Sequence, residues 1–91
     1  MKAKVTITPR RGVLDPQGRA VLGSLHSLGY SEVTDVRVGR CIELELDPLA
    51  GPDGLPVDAS AMEGRLEEMC RRLLANTLIE DYRFEIESVT P

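Results

Sequence analysis

One long alternating stretch, Val33–Leu46, limits the folds open to this chain more than any other feature. Its apolar residues share one phase from Val36 to Leu46, and four charged residues lie in the other phase, namely Asp35, Arg37, Glu43 and Glu45. A straight strand of this length would span about 46 Å at about 3.3 Å per residue, whereas a compact domain of the same chain is only about 31 Å across. The strand must therefore bend, with Gly39 as the natural site for a bend or bulge, or project beyond its own domain.

Arg40 falls in the apolar phase of this strand, where a lone charge is costly. Two arrangements solve the problem. A bend at Gly39 turns the side chain out to solvent, or the guanidinium meets an acidic group at an interface. A projecting strand would also offer an unpaired edge to a second subunit.

The first third of the chain predicts a strand followed by a helix. Residues Lys2–Thr8 alternate between polar and apolar, as in a half-buried strand. Asp15 is a suitable N-cap, and Pro16 suits the first helical position, where no amide hydrogen is needed. Gly29 ends the helix, because glycine tolerates a left-handed terminal conformation. Gly18 in the first turn disfavours the helix and indicates close approach by another backbone or a ligand.

The last third predicts a second helix and a final strand. The helix begins near Asp58 or Ser60 and ends at Asn76, which is suited to a left-handed conformation. Apolar and charged residues then alternate over 82–87. The segment Asp47–Val57, with three prolines and two glycines, is predicted to be a loop.

Each predicted helix has one apolar stripe at helical spacing. The stripe residues are Val21, Leu25 and Leu28 in the first helix, and Met62, Leu66, Met69 and Leu73 in the second. The order β-α-β-loop-α-β, with one apolar face on every element, predicts an α+β two-layer sandwich. Two helices would cover one face of a small, mostly antiparallel sheet in a single domain over residues 1–91. If the long central strand folds in two at Gly39, the topology is ferredoxin-like. A sheet this small has exposed edges, which favours an oligomer.

Composition excludes several classes of function. The net charge is −4 and no four basic residues are consecutive, which argues against nucleic-acid binding. No apolar stretch approaches the roughly 18 residues of a membrane span, and the charged, alternating N-terminus is unlike a signal peptide. A cytoplasmic location is the prediction.

Aromatic residues make up 3% of the chain, so the core must be aliphatic. Cys41 and Cys70 are predicted to be free thiols, buried or partly buried.

The sequence offers poor material for catalysis or metal binding. The single histidine, His26, flanks the first helical stripe and is interpreted as structural. Neither a phosphate-binding loop nor a recognisable nucleophile with its base is present. Glu80 and Asp81 are adjacent, but neighbours in an extended segment point in opposite directions, so they do not form a catalytic pair. Arg10 and Arg11 either hold a phosphate or a partner carboxylate, or belong to a solvated loop.

Three segments in order resemble the PurS family, the small subunit of phosphoribosylformylglycinamidine (FGAM) synthase. They are Gly12–Val21 (GVLDPQGRAV), Val36–Leu44 (VRVGRCIEL) and Leu73–Glu87 (LLANTLIEDYRFEIE). The resemblance implies a non-catalytic assembly subunit in purine biosynthesis. Such a subunit would bridge the large ATP-dependent synthase subunit (PurL) and the glutaminase subunit (PurQ), and would support ammonia transfer between them. It also implies self-association to a dimer or tetramer. No cofactor is expected in this chain, because ATP and magnesium would be used by the synthase subunit.

Carrying the family pattern over residue by residue predicts a set of partner or dimer contacts, and no catalytic, cofactor-binding or metal-binding residue. The contacts are Gly12, Val13, Leu14, Asp15, Pro16, Gln17, Gly18, Arg37, Gly39, Arg40, Asn76, Glu80, Asp81 and Tyr82. Two other functions remain open. A small-ligand regulatory module would need a pocket with converging polar groups, and a stand-alone enzyme using Glu80 or His26 would show turnover without partners.

Overall fold

The computed structural model describes residues 1–87, so the last four residues of the predicted domain lie outside the described part. Three strands and two helices follow the predicted order, with a short 3₁₀ turn inside the proline-rich loop and a π turn extending the second helix. The elements are β1 (Lys2–Pro9), α1 (Pro16–Ser27), β2 (Arg40–Glu45), the 3₁₀ turn (Pro52–Gly54), α2 (Ala59–Met69), the π turn (Cys70–Leu74) and β3 (Glu80–Glu87).

The sheet has the order β2-β1-β3, and both neighbours run antiparallel to the central strand β1. Val5 lies opposite Ile42 on one side and Phe84 on the other. Because side chains alternate along each strand, these apolar residues share one face of the sheet. The alternation read from the sequence is therefore confirmed in all three strands.

The second helix covers this apolar face. Asp58 caps it, its carboxylate accepting a hydrogen bond from the amide of Ala61 at 2.7 Å. Leu66 is fully buried and Met62 nearly so. The core cluster joins Val5 and Ile7 of β1 to Cys70 and Ala75 at the end of the helical segment. These layers confirm the predicted α+β class.

The end of the second helix differs from the prediction. It widens into the π turn, where the amide of Ala75 donates to the carbonyl of Cys70 at 2.9 Å. The wider turn shifts the helical phase, so Cys70 faces the core while Leu73 is 83% exposed. The prediction that Asn76 ends the helix in a left-handed conformation is also wrong. The helix has already ended at Ala75, which is extended, and Asn76 has no positive φ.

The first helix has the predicted ends but not the predicted burial. Asp15 is its N-cap, Pro16 its first residue, and Gly29 follows it with a φ of +99°. Its apolar stripe is not covered within the described chain, with Leu28 73% exposed and Val21 41% exposed. The reason is that no residue of α1 belongs to the core cluster on the sheet, and the start of the helix is instead tied to the backbone of Val36 and Val38.

The long central strand is shorter than its sequence pattern. Only Arg40–Glu45 pairs with β1, and residues 33–39 form no strand within the described chain. The strand begins directly after Gly39, whose backbone lies so close to the carbonyl of Ile7 that a Cβ atom there would clash with it. Close approach explains the glycine at this position.

The described chain is flat and elongated. Its extents are 54 × 32 × 15 Å and its radius of gyration is 17.3 Å, against about 12 Å for a compact domain of this length. The estimate of about 31 Å across is therefore wrong for this chain, because it assumes a compact shape. No helix in residues 1–87 is both long and apolar enough to cross a membrane.

Candidate functional site

The antiparallel sheet brings distant parts of the sequence together at one end. Because β2 and β3 both run opposite to β1, the last residues of β1 lie beside the first residues of the other two strands. Ile7 is opposite Arg40, and Pro9 is opposite Glu80. We call this region the Pro9 end of the sheet. Most of the predicted contact residues at or next to it take part in two groups of contacts, one around Asp15 and one around Arg40.

The first group is organised by Asp15. One carboxylate oxygen accepts a hydrogen bond from the amide of Gly18 at 3.0 Å, and the other accepts one from the amide of Val38 at 2.9 Å. These bonds, Gly18 first, hold the pKa of Asp15 below its usual range, since they stabilise the charged form. Asp15 therefore both caps α1 and fastens the preceding turn to residues 33–39.

Gly18 is buried in this junction. A Cβ atom at this position would clash with the carbonyl oxygen of Val36 and with Asp15. The close approach predicted for this glycine is confirmed, and the group that approaches is backbone. This observation gives Gly18 a structural reason that is independent of any partner.

Beside this junction lies an open cavity of about 600 Å³. The predicted contact residues in its lining are Gly12, Val13, Leu14, Asp15, Gly18 and Arg37. Gly12 adopts a φ of +86°, which explains the glycine at the turn. The Arg37 guanidinium donates to the carbonyl of Pro9 at 3.2 Å. Pro16 and Gln17 are exposed in the first turn of α1 and do not line the cavity.

The second group is built around Arg40. Its guanidinium binds both carboxylate oxygens of Glu80, at 2.6 and 3.1 Å, and also donates to the carbonyl of Leu74 at 2.6 Å. The amide of Asn76 donates to the same carboxylate at 2.8 Å. One of the two predicted alternatives was that Arg40 meets an acidic group at an interface. Arg40 does meet an acidic group, but that group belongs to the same chain.

These contacts change the acidity of Glu80. The hydrogen bond from Arg40, followed by the amide of Asn76, holds the pKa of Glu80 below its usual range. The Glu80 side chain is only 15% exposed, while that of Arg40 is 49% exposed. The ion pair therefore ties the end of the second helix to the start of β3 and remains accessible from the Arg40 side.

Asp81 and Tyr82 have separate partners. The Asp81 carboxylate lies 3.3 Å from the Arg10 guanidinium, and the Tyr82 hydroxyl donates to Glu67 on α2. That hydrogen bond is the main reason why the pKa of Tyr82 is raised. Glu80 and Asp81 therefore bind different arginines, as expected for adjacent residues pointing in opposite directions.

Two residues outside the predicted set complete the arrangement. Arg10 ties the end of β1 to the start of β3, since its amide donates to the carbonyl of Ile79 at 2.8 Å and its side chain contacts Asp81. Its position directly after a predicted strand could have indicated that it lies at this end of the sheet. Glu67 fits the predicted helical pair with Arg71, at 3.9 Å, but its bond to Tyr82 links elements that no local pattern connects.

The contacts at the Pro9 end serve a structural purpose. His26 contacts the carbonyl of Val33 at 2.7 Å, consistent with a structural role. Within residues 1–87 no group of three potential metal ligands comes together. The charged side chains of the Pro9 end bind one another and backbone carbonyls, which fixes the loop, the first helix and the start of β3 relative to the sheet.

Comparison with known proteins identifies the family. The family profile of PurS, described as phosphoribosylformylglycinamidine (FGAM) synthase, matches residues 2–88. The phosphoribosylformylglycinamidine synthase subunit PurS of Bacillus subtilis is 44% identical over 88 residues, covering 97% of this chain and 94% of that protein.

Solved structures agree with the sequence match. Bacillus subtilis PurS superposes with a TM-score of 0.71 at 46% identity, covering 96% of this chain and 98% of that one. Methanocaldococcus jannaschii PurS gives a TM-score of 0.74 at 31% identity, covering 98% of both chains. A chain of Thermotoga maritima PurLQS has the same fold, with a TM-score of 0.69 at 22% identity, over 92% of this chain and 93% of that one. The chain therefore belongs to the PurS family of FGAM synthase.

Proposed function

We propose that this chain is the non-catalytic assembly subunit of an FGAM synthase in purine biosynthesis. The observation that carries the proposal is the family match over residues 2–88, with 44% identity to the synthase subunit of Bacillus subtilis. The Methanocaldococcus jannaschii relative is described as one of the subunits of formylglycinamide ribonucleotide amidotransferase in the purine biosynthetic pathway.

The role proposed is to bridge two catalytic subunits. A large ATP-dependent synthase subunit would activate the amide of formylglycinamide ribonucleotide, and a glutaminase subunit would release ammonia. This chain would join them and support ammonia transfer, so that ammonia is not lost to bulk water. ATP and magnesium would bind the synthase subunit, and the complex would be cytoplasmic. The Thermotoga maritima protein of the same fold occurs in a PurLQS complex.

The surface of the chain supports association with other proteins. Its accessible area is 6776 Å², whereas a compact monomer of this mass exposes about 5200 Å². The difference, about 1500 Å², exceeds the roughly 800 Å² that each partner buries in a standard interface. Large apolar side chains contribute to it, among them Leu28, Leu73 and Leu78. Self-association and binding to the catalytic subunits would both cover such surface.

The test is reconstitution with and without this chain. The large subunit and the glutaminase are assayed for FGAM formation with either glutamine or ammonia as the nitrogen source. Loss of both activities on omission supports a general assembly role, and loss of the glutamine-dependent activity alone supports coupling of ammonia transfer. Unchanged rates with both nitrogen sources would overturn the proposal. Light scattering on the mixture gives the subunit composition independently of activity.

A further inference from the structure

The cavity beside the first helix carries a charge opposite to that of the whole protein. The chain has a net charge of −4, yet four arginines and only two aspartates line this cavity of about 600 Å³. They are Arg10, Arg11, Arg19 and Arg37, with Asp15 and Asp35. Both oxygens of Asp15 already accept backbone hydrogen bonds, so the arginines dominate the groups available to a ligand.

Two of the four arginines are held in place by the fold. The Nε atom of Arg10 lies 3.3 Å from Asp81 and donates to the carbonyl of Glu80 at 3.4 Å, and Arg37 donates to the carbonyl of Pro9. Arg11 and Arg19 are exposed and form no ion pair within residues 1–87. Guanidinium groups bind carboxylates and phosphates with two parallel hydrogen bonds, so this cluster fits an oxyanion.

The rim of the cavity distinguishes between the two sources of an oxyanion. Leu14 is 74% exposed, and half-buried Val13, Leu22 and Val36 continue the apolar surface inside. A free phosphate would satisfy the arginines and leave Leu14 in water. A peptide segment with carboxylates and an apolar side chain would cover both. Charge complementarity together with this apolar rim therefore favours a protein ligand.

We propose that this arginine-lined cavity is the docking site for an acidic segment of the large synthase subunit. The inference rests on the proposed function, since it names the part of the chain that binds this partner. Carboxylates of the segment bind Arg11 and Arg19, and an apolar side chain of the segment packs on Leu14. The contact is electrostatic in part, so it weakens as salt concentration rises.

The test measures binding of the purified large subunit by titration calorimetry. The double variant Arg11→Glu, Arg19→Glu should bind at least about tenfold more weakly than the unmodified chain. The single variant Leu14→Asp, at an exposed position, should also bind more weakly. Arg65→Glu on α2 is the matched control, because Arg65 is an exposed arginine that does not line this cavity, and it should bind normally. Thermal unfolding of each variant confirms that the fold is retained.

Hydrogen exchange of the complex gives a second readout. Amides in residues 10–19 and 34–37 should become protected when the large subunit binds. Normal binding by the double variant, or protection confined to other segments, would overturn the docking site while the proposed function stands. Failure of the unmodified chain to bind at all would instead overturn the proposed function, and this inference with it. Inorganic phosphate gives a further check, through the NMR chemical shifts of the Gly12 and Gly18 amides. If these shifts saturate with phosphate while the large subunit protects no amide of the cavity, the cavity binds phosphate and the proposal is overturned.

Discussion

The Arg40 guanidinium and the Glu80 carboxylate form a two-point ion pair that crosses the central strand. Their closest atoms, Nη1 and Oε2, are 2.6 Å apart, and a second bond joins Nη2 to Oε1 at 3.1 Å. The two residues belong to the two outer strands, with Ile7 and Pro9 of β1 opposite them. A charge in the apolar phase of β2 is thereby accommodated at the edge of the core.

The Arg40–Glu80 pair should contribute more to stability than an exposed helical pair. A double-mutant cycle with Arg40→Ala and Glu80→Gln should give a coupling energy of about 1 kcal/mol, since solvent reaches the Arg40 side and weakens it. The matched control is Arg72 and Glu68, an exposed i,i+4 pair at 3.3 Å, expected at about 0.3–0.5 kcal/mol. Urea unfolding at one fixed chain concentration gives both values. Equal coupling in the two cycles would contradict the expectation.

Two glycines of the first helix should respond oppositely to alanine. Gly18→Ala should destabilise the chain by about 1–3 kcal/mol, because the added methyl group meets the Val36 carbonyl. Gly23→Ala should stabilise it by about 0.5–1 kcal/mol, since alanine is the better helix former and, apart from the helix's own backbone, a Cβ atom added there would meet no described residue within 4 Å. Thermal and urea unfolding measure both changes. Tolerance of alanine at Gly18 would show that the junction with Val36 is loose.

Asp15 should make stability depend on pH in the acid range. Its pKa is lowered in the folded chain by the amides of Gly18 and Val38, so the unfolded chain binds more protons there. Its contribution is therefore complete above its unfolded pKa, about 4, and is lost as the pH falls through the lower folded value.

Asp15→Asn tests this dependence, because asparagine has one acceptor oxygen and loses one of the two hydrogen bonds. The variant should be less stable than the unmodified chain at pH 7, and the difference should shrink as the pH falls below about 4. Urea midpoints across this range provide the measurement, with the exposed Asp35→Asn as the control. A stability difference that is constant with pH would be inconsistent with the hydrogen bonds that the two backbone amides donate to the Asp15 carboxylate.

The two cysteines should differ in reactivity. Cys70 is fully buried, as predicted, whereas Cys41 is exposed, so the prediction of a buried or partly buried thiol is wrong for Cys41. Burial, and secondarily the Glu67 carboxylate, raises the pKa of the Cys70 thiol and so lowers its thiolate fraction. A disulfide-exchange reagent at pH 8 should therefore modify one thiol per native chain rapidly, and Cys41→Ser should remove that phase. Two rapid phases in the native chain would argue against the packing of the π turn onto the core.

The sequence alone determined the local features of this fold. The alternation of β1 and β3, the capping of α1 by Asp15 and the termination of that helix at Gly29 each depend on neighbouring residues, so periodicity and capping rules predict them. The same is true of the order of elements and the α+β class. Family resemblance also selected residues that the fold gathers at the Pro9 end.

The tertiary structure decided the features that depend on residues far apart in sequence. Arg40 has an acidic partner 40 positions away, and the bond between Glu67 and Tyr82 requires α2 to lie over β3. The π turn at Cys70 rotates Leu73 outward, although helical spacing predicts the opposite. The stripe of α1 remains exposed because an apolar periodicity specifies a face to be covered, and only packing determines whether this chain or another molecule covers it.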